Sequence, residues 1–272
     1  MRVGFIGLGS QGAPMARRIA AAGHPTTLWA RRSETLAALA DTGAAVAESP
    51  AALAAASDLV CLCVVGDADV TQVVEGAEGV LSGLTSGGII AIHSTVHPDT
   101  CREIALLAAQ QGVQIVDAPV SGGGQAAAEG RLLVMVGGET DAVDRCRPVF
   151  DSYAGRVEHL GALGAGQVAK LLNNLLFTAN LATAASTFTL GKELGIDPQR
   201  LGAILSDGTA NSFALSTIAP LGGSLEVLAA HADGLLRKDV GLIGDLATRA
   251  AAQRGPVVTV AEAALALMSA LH

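Results

Sequence analysis

The sequence has few aromatic and few charged residues. Of its 272 residues, 3% are aromatic and 15% are charged, with one Trp, one Tyr and five Phe. Because large apolar anchors are so scarce, a ligand is expected to be held by loops, backbone groups and a few polar side chains. The net charge of −8 argues against nucleic acid or an anionic membrane surface as a partner, and the hydrophobic share of 50% excludes a disordered chain.

Cysteine is also scarce, and none of the four cysteines forms a C-x-x-C pair. Cys61 and Cys63 lie two residues apart in an apolar run, where strand spacing would place both on one face. Cysteines in such a position pack as small hydrophobic side chains, so we predict neither a metal site nor a disulfide.

The sequence offers little evidence of export or membrane insertion. The N-terminal segment has no apolar stretch followed by a cleavage site, which argues against a signal peptide. Residues 171–191 carry no charge and are long enough to span a bilayer, but Asn173, Asn174 and Asn180 favour a helix buried in protein. We therefore predict a soluble, cytoplasmic protein.

The two halves of the chain differ in pattern. The first alternates short apolar runs with helical stretches, which predicts an α/β fold with a doubly wound, mostly parallel sheet. The predicted strands are residues 2–6, 26–29, 59–64, 89–92, 113–116 and 132–136. Beyond about Gly161 the sequence becomes long Ala- and Leu-rich helical segments. We predict a sheet-containing domain over residues 1–162 and an all-helical domain over residues 163–272, which begins with the helix that joins them.

A glycine-rich segment with the pattern G-x-G-x-x-G follows the first predicted strand and opens a helix. It consists of Gly7, Leu8, Gly9, Ser10, Gln11 and Gly12. The glycines permit a tight turn and a close approach of the backbone to a pyrophosphate, and the helix N-terminus adds N–H donors. In this strand–glycine–helix context the segment predicts a dinucleotide site, and the alternative is a tight turn without a ligand.

The end of the second predicted strand favours NADP over NAD. An NAD site usually has an acidic residue there to bind the ribose hydroxyls, but this chain has Arg31, Arg32 and Ser33, and its first acid is Glu34. Two guanidinium groups and a hydroxyl suit the 2′-phosphate of NADP, because arginine pairs bidentately with phosphate. The alternative is an arginine that merely flanks a solvated helix start.

Three later segments carry polar groups suited to binding or catalysis. Ser121, Gly122 and Gly123 follow a strand and expose a hydroxyl and several backbone N–H groups, which suits a carboxylate, although a plain turn into a helix is the alternative. Lys170 and Asn174 share one face of an otherwise apolar helix. A lysine in a dry site can transfer a proton, whereas a lysine that reaches solvent is the commoner case. The charged segment 237–240 is by itself compatible with a solvated helix face.

At these segments the chain resembles the β-hydroxyacid dehydrogenase family. That family includes 3-hydroxyisobutyrate dehydrogenases, tartronate semialdehyde reductases and glyoxylate/succinic semialdehyde reductases. The resemblance covers nearly the whole chain and comprises four motifs in the family's order, at residues 4–15, 117–132, 161–174 and 238–239. It implies an N-terminal Rossmann domain, a long interdomain helix, and an all-helical C-terminal domain that usually builds a homodimer or homotetramer.

The resemblance also implies roles for individual residues. Lys170 looks like the family's catalytic lysine and Asn174 like its substrate-holding asparagine, while residues 121–123 look like the loop that binds the substrate carboxylate. Four cofactor-binding positions come from the resemblance alone. They are Val64 and Val65 beside the adenosine ribose, Thr95 near the nicotinamide, and Lys238, which would reach the cofactor from the second domain.

The chain departs from the family's pattern at several places. Gln11 stands where the family usually has Met, and Phe213 stands where many members have Trp, so the polarity of the site and the substrate pocket are expected to differ. Arg237 adds a charge that would reach a second anionic group on the substrate or face solvent. The C-terminus stops where relatives usually add a helical segment, which puts subunit packing in question.

Together these observations predict an NAD(P)-dependent oxidoreductase that prefers NADP. It would transfer a hydride between the nicotinamide and a small 3-hydroxy acid or its semialdehyde, with Lys170 as general acid and base. One alternative is an imine reductase-like enzyme that uses NADPH, although such enzymes usually lack the lysine. The other is a non-catalytic dinucleotide-binding module used for assembly, whose members tend to lose it.

Overall fold

The computed structural model describes residues 1–271 and divides the chain into two units. The first unit is Met1–Lys170, and the second begins at Leu171. The domain boundary that the sequence predicts, between residues 162 and 163, lies a few residues before this division and stays a prediction. No helix within residues 1–271 is both long and apolar enough to cross a membrane.

A six-stranded parallel sheet forms the centre of the first unit. Its strands are β1 (Val3–Ile6), β2 (Thr26–Trp29), β3 (Ala45–Val46), β4 (Leu59–Leu62), β5 (Ile89–Ile92) and β6 (Gln114–Asp117), in the order β3-β2-β1-β4-β5-β6. The strand order reverses between β1 and β4, and ligands of such sheets bind beyond the carboxyl ends of the strands at that point.

The remaining strands of the first unit, within the described residues, form a smaller three-stranded sheet. It contains β7 (Val120–Ser121), β8 (Leu132–Val136) and β9 (Ala154–His159); β7 and β8 pair antiparallel, and β8 and β9 pair parallel. The sequence analysis predicts a strand at 132–136, and the structure has one there. The expectation that this strand belongs to the large sheet is wrong, because β8 pairs with β7 and β9 instead. Strands β3, β7 and β9 are not predicted, because two of them are two residues long and β9 is polar and half-exposed.

Helices connect the strands and build the second unit. Those of the first unit are α1 (Gly12–Ala21), α2 (Glu34–Ala37), α3 (Pro50–Ala55), α4 (Asp67–Val74), α5 (Val80–Gly83), α6 (Pro98–Ala109), α7 (Gly123–Glu129) and α8 (Thr140–Phe150). Helix α9 (Ala165–Glu193) begins in the first unit and continues into the second, which also contains α10 (Pro198–Asp207), α11 (Phe213–Ile218), α12 (Glu226–Arg249) and α13 (Gly255–Ser269). The predicted fold class, a doubly wound α/β sheet followed by helices, is confirmed.

Neighbouring residues of the central strands enter two different cores. One core contains Phe5, Cys61 and Ala91, and the other contains Ile6, Leu62 and Ile92. Because successive side chains of a strand point to opposite faces, both faces of the sheet are buried, which explains the uninterrupted apolar runs in the sequence. Cys63 packs against the same core as Cys61, as their spacing predicts, and burial raises the pKa of the Cys61 thiol well above its ordinary value.

In the second unit, Arg237 joins two helices. Its guanidinium pairs with Asp233 one turn earlier on α12, at 2.9 Å between Nη2 and Oδ1. The same nitrogen donates to the Ser269 hydroxyl at 2.7 Å and to the Leu265 carbonyl at 3.2 Å, both on α13. These contacts give Arg237 a structural role between α12 and α13.

Candidate active site

The three glycines of the G-x-G-x-x-G segment have different surroundings. Gly7 has a φ of +98°, and a Cβ there would collide with the carbonyl of Cys63, while a Cβ on Gly12 would collide with the carbonyl of Gly7. Gly9 has no heavy atom within 4 Å of the place where a Cβ would lie. Gly7 therefore allows a close approach of the segment after β4, Gly12 allows α1 to begin close to the end of β1, and Gly9 leaves open backbone for a ligand. This cradle fits the diphosphate of a dinucleotide at the first turn of a helix.

A cavity of about 350 Å³ extends from this segment along the carboxyl ends of β1, β2 and β4. Many of the predicted cofactor-binding residues line it. They are Gly7, Leu8, Gly9, Arg31, Arg32, Val64 and Val65. Trp29 and Thr35 contribute to the same walls. The structure thus brings together three segments that are far apart in sequence, in a space suited to the adenosine half of a dinucleotide.

Other predicted cofactor residues lie outside this lining. Ser10 is exposed beyond Gly9, Gln11 directly precedes α1, and Gly12 begins α1. Ser33 is exposed immediately before α2, and its side chain caps no backbone N–H of that helix.

One wall of the cavity carries an acid that the sequence analysis missed. Asp69, in the first turn of α4, places its Oδ1 2.6 Å from Nη2 of Arg31. Its side chain is 27% exposed, against 62% for that of Arg31. A separation of 38 residues conceals this pairing in the sequence.

The segment from Ser121 to Gly124 approaches the glycine-rich cofactor segment. Gly122 and Gly123 have φ values of +131° and +75°, and α7 starts directly after Gly122. A Cβ on Gly124 would press on the carbonyl of Ser10, whereas a Cβ on Gly123 would meet nothing within 4 Å. The close approach requires glycine at 124, and the open backbone at Gly123 can receive an anionic group beside the dinucleotide segment.

Asp117 fixes the start of the helix that carries Lys170. It is fully buried, and its Oδ1 and Oδ2 accept hydrogen bonds from the backbone N–H groups of Gly164 and Gln167, at 2.6 and 2.7 Å. Burial raises the pKa of Asp117 above its ordinary value, although the two backbone N–H groups act in the opposite direction. The carboxylate thus satisfies N–H groups that a helix end leaves without partners.

Gln167 joins this helix start to the loop after β5. Its Nε2 donates to the Ser94 carbonyl at 2.8 Å, and its Oε1 accepts from the Val96 N–H at 3.1 Å. These bonds flank the predicted nicotinamide neighbour Thr95 on both sides. The Ser94 hydroxyl in turn accepts from the Val64 N–H at 2.8 Å. Gln167, which sequence reasoning also missed, therefore connects the start of α9 to the loop that contains Thr95 and, through Ser94, to Val64.

His93 connects the same region to the core. Its Nδ1 lies 2.7 Å from the Ala118 carbonyl, and its Nε2 lies 3.2 Å from the Tyr153 hydroxyl. Burial lowers the pKa of His93 to about 4. The ring is therefore neutral near pH 7, so that Nδ1–H donates to the carbonyl and Nε2 accepts from the hydroxyl. It holds the end of β5 against the segment that leads to Ser121.

Within the second unit, Asn174 and Lys238 meet at a buried carboxylate. Asp239 is 5% exposed, and its Oδ2 accepts from Nδ2 of Asn174 at 2.6 Å, while its Oδ1 lies 2.9 Å from Nζ of Lys238. The Oδ1 atom of Asn174 accepts from Nδ2 of Asn173 at 3.0 Å. Asp239 thus fixes the amide of Asn174, a role that sequence reasoning did not assign although it noted the acid beside Lys238.

Phe213, which sequence reasoning placed in the substrate pocket, is an exposed aromatic side chain. Phe213 begins α11, is 75% exposed, and lies with its ring centroid 6.1 Å from that of Phe177. Phe177 follows Asn174 by three residues on α9, so its side chain lies near the face that carries the amide.

These features define a class: a dinucleotide-binding protein with a helical domain. The family model described as the NAD binding domain of 6-phosphogluconate dehydrogenase matches residues 2–161. The model described as NAD-binding of NADP-dependent 3-hydroxyisobutyrate dehydrogenase matches residues 164–272. The chain belongs to the β-hydroxyacid dehydrogenase family and is an NAD(P)-binding dehydrogenase that acts on CH–OH groups.

Named relatives agree with this placement. Mitochondrial 3-hydroxyisobutyrate dehydrogenase of Mus musculus is 32% identical over 253 residues, which is 90% of this chain and 76% of the relative. The structure of Mycobacterium tuberculosis 3-hydroxyisobutyrate dehydrogenase with L-serine is 29% identical, covers 100% of both chains and has a TM-score of 0.84. The structure of Psf3 with NADP⁺ and 2-OPP is 28% identical, covers 99% of this chain and 100% of that one, and has a TM-score of 0.86.

Proposed function

We propose that this dehydrogenase interconverts a small 3-hydroxy acid and its semialdehyde, with NADP preferred over NAD. The observation that carries the proposal is the placement of the Ser121–Gly124 segment against the carbonyl of Ser10, because it puts a carboxylate-binding segment beside the dinucleotide segment. The likeness to a dehydrogenase whose structure holds L-serine, a small hydroxy acid, supports the substrate class.

Lys170 is assigned the proton transfer. A bound nicotinamide would supply the hydride chemistry at the carbinol or carbonyl carbon of the substrate. Lys170 takes the hydroxyl proton during oxidation and gives it back during reduction. It follows Gln167 by three residues on the helix that Asp117 caps, so the start of its helix is fixed by hydrogen bonds.

The other site residues position the reactants. Ser121, Gly122 and Gly123 hold the substrate carboxylate, and so determine which carbon meets the nicotinamide. Asn174, fixed by Asp239, stands four residues from Lys170 on α9 and holds the reacting oxygen near the lysine. Thr95 beside the nicotinamide and Lys238 on the cofactor keep the roles that the family resemblance implies.

The preference for NADP rests on Arg31 and Arg32. Both line the cavity that suits the adenosine half, and β2 ends without an acid. A 2′-phosphate carries negative charge and several acceptor oxygens, which arginine matches better than a hydroxyl does. The family model for NADP-dependent 3-hydroxyisobutyrate dehydrogenase and the neighbour solved with NADP⁺ support this preference. A homodimer or homotetramer and a cytoplasmic location stay predictions.

The substrate class is tested by an NADP⁺-reduction assay over small 3-hydroxy acids, with the methyl ester of each acid as matched control. We expect NADPH to form with at least one free acid, and its ester to have a kcat/KM lower by about 30-fold or more. Loss of the carboxylate removes charge-assisted hydrogen bonds, each contributing about 1.5–3 kcal/mol. Equal turnover of acid and ester would contradict the role of residues 121–123. If no 3-hydroxy acid is oxidised but cyclic imines are reduced in a parallel NADPH-oxidation assay, the imine reductase alternative is favoured.

A further inference from the structure

The adenosine cavity contains an acid that does not come from the end of β2. In many dinucleotide folds an acid at the end of the second strand binds the ribose hydroxyls, and an arginine nearby accommodates a 2′-phosphate. Here β2 ends at Trp29 and is followed by Ala30, Arg31 and Arg32. The acid in the cavity is Asp69, supplied by the first turn of α4 after β4.

The Arg31–Asp69 pair is placed to respond to the ligand. One guanidinium nitrogen, Nη2, bonds Asp69 Oδ1 at 2.6 Å, and both residues line the same cavity. Because Arg31 is 62% exposed, the pair is partly solvated, and such pairs contribute little to stability. A phosphate dianion is therefore a strong competitor for the arginine.

We propose that Asp69 is a specificity-determining residue of the cofactor site, in which it serves as the ribose acid for NAD and competes with the 2′-phosphate of NADP for Arg31. With a 2′-hydroxyl, the carboxylate accepts the hydroxyl hydrogen, as an acid at the end of β2 would. With a 2′-phosphate, Arg31 gives up its hydrogen bond to Asp69 and donates to the phosphate instead. The nearby carboxylate of Asp69 repels the phosphate dianion. Asp69 thus narrows the difference in affinity between the two cofactors.

The proposal rests on the proposed function of Arg31 in binding the 2′-phosphate. It is tested by measuring the Kd of NADPH and of NADH, by fluorescence titration, for the wild type, Asp69→Asn and Arg31→Ala. The matched control is Asp41→Asn, which breaks a second exposed arginine–aspartate pair of the first unit, Arg17–Asp41, outside the cavity lining. Thermal unfolding of each variant verifies that the protein is folded.

For Asp69→Asn we expect NADPH to bind about 3- to 10-fold more tightly and NADH about 3- to 10-fold more weakly. The ratio of the two affinities then shifts about tenfold or more. Asp41→Asn should leave both dissociation constants unchanged. An affinity ratio within twofold of the wild type overturns the proposal. Equal weakening of both cofactors, or weakening of NADPH alone, also overturns it, since Asp69 would then merely hold Arg31 in place.

Failure of the NADP preference gives a different pattern. In that case the wild type binds NADH more tightly than NADPH, and Arg31→Ala weakens both cofactors equally. The test of Asp69 uses the change in the affinity ratio relative to the wild type, so it can be evaluated whichever cofactor the wild type prefers.

Discussion

Replacing Lys170 by alanine is expected to lower kcat by about a thousandfold while changing the Kd of NADPH by less than about threefold. General acid–base groups contribute typically about 10²- to 10⁴-fold to a rate, and the proposed mechanism has one such group. Lys170 lies on α9 and does not line the adenosine cavity, so cofactor affinity should persist. The measurement is steady-state turnover with NADP⁺ and a 3-hydroxy acid, alongside a fluorescence titration of NADPH.

Two further variants sharpen this result. Lys192 is an exposed lysine near the end of the same helix, and the Lys192→Ala variant should retain the wild-type kcat. Lys170→Arg keeps a positive charge, but a guanidinium does not release its proton in the working pH range, so kcat should stay low. A Lys170→Ala variant that retains more than a tenth of wild-type kcat would show that the proton is transferred elsewhere.

Replacing Asp117 by alanine is expected to lower the free energy of unfolding of the first unit by about 2–5 kcal/mol. The change leaves the N–H groups of Gly164 and Gln167 without their acceptors in a buried place, and each unsatisfied buried donor costs about 1–3 kcal/mol. Relief from burying a charged carboxylate offsets part of this loss, because burial raises the pKa of Asp117. The cost of leaving both N–H groups without an acceptor should exceed the gain from removing the buried charge.

Urea denaturation followed by the fluorescence of Trp29, which lies in the first unit, measures this effect. The control is Ser49→Ala, which removes a side-chain cap from α3, where the Ser49 hydroxyl accepts from the Ala52 N–H at 3.1 Å. An ordinary cap of this kind contributes about 1 kcal/mol. If Asp117→Ala is no more destabilising than Ser49→Ala, the carboxylate does not hold the start of α9 as the hydrogen bonds suggest.

Much of the fold could be predicted because its signals are local. Strands β1, β4 and β5 are apolar at every position since both faces of the sheet are buried, and the structure places them within two residues of their predicted ends. Strand β9, with the sequence AGRVEH, lacks that signal because it lies half-exposed in the smaller sheet. Its pairing with β8 depends on tertiary contacts rather than on its own composition.

The site shows the same division between local and distant signals. The glycine positions could be predicted because a positive φ, as at Gly7 and Gly122, excludes most other residues whatever the tertiary context. The roles of Asp69, Gln167 and Asp239 could not be predicted, because their partners lie 38, 71–73 and 65 residues away, respectively. Such partners become neighbours only when the chain is folded.

Hydride transfer from a 3-hydroxy acid to the nicotinamide is tested most directly by following deuterium from substrate to cofactor. The wild-type chain is supplied with NADP⁺ and a 3-hydroxy acid deuterated at the carbinol carbon, and the NADPH formed is analysed by mass spectrometry and NMR. We expect one deuterium at C4 of the nicotinamide, and none when an unlabelled acid is oxidised in D₂O. NADPH without deuterium from the labelled acid, or no oxidation of any small 3-hydroxy acid, would contradict this expectation.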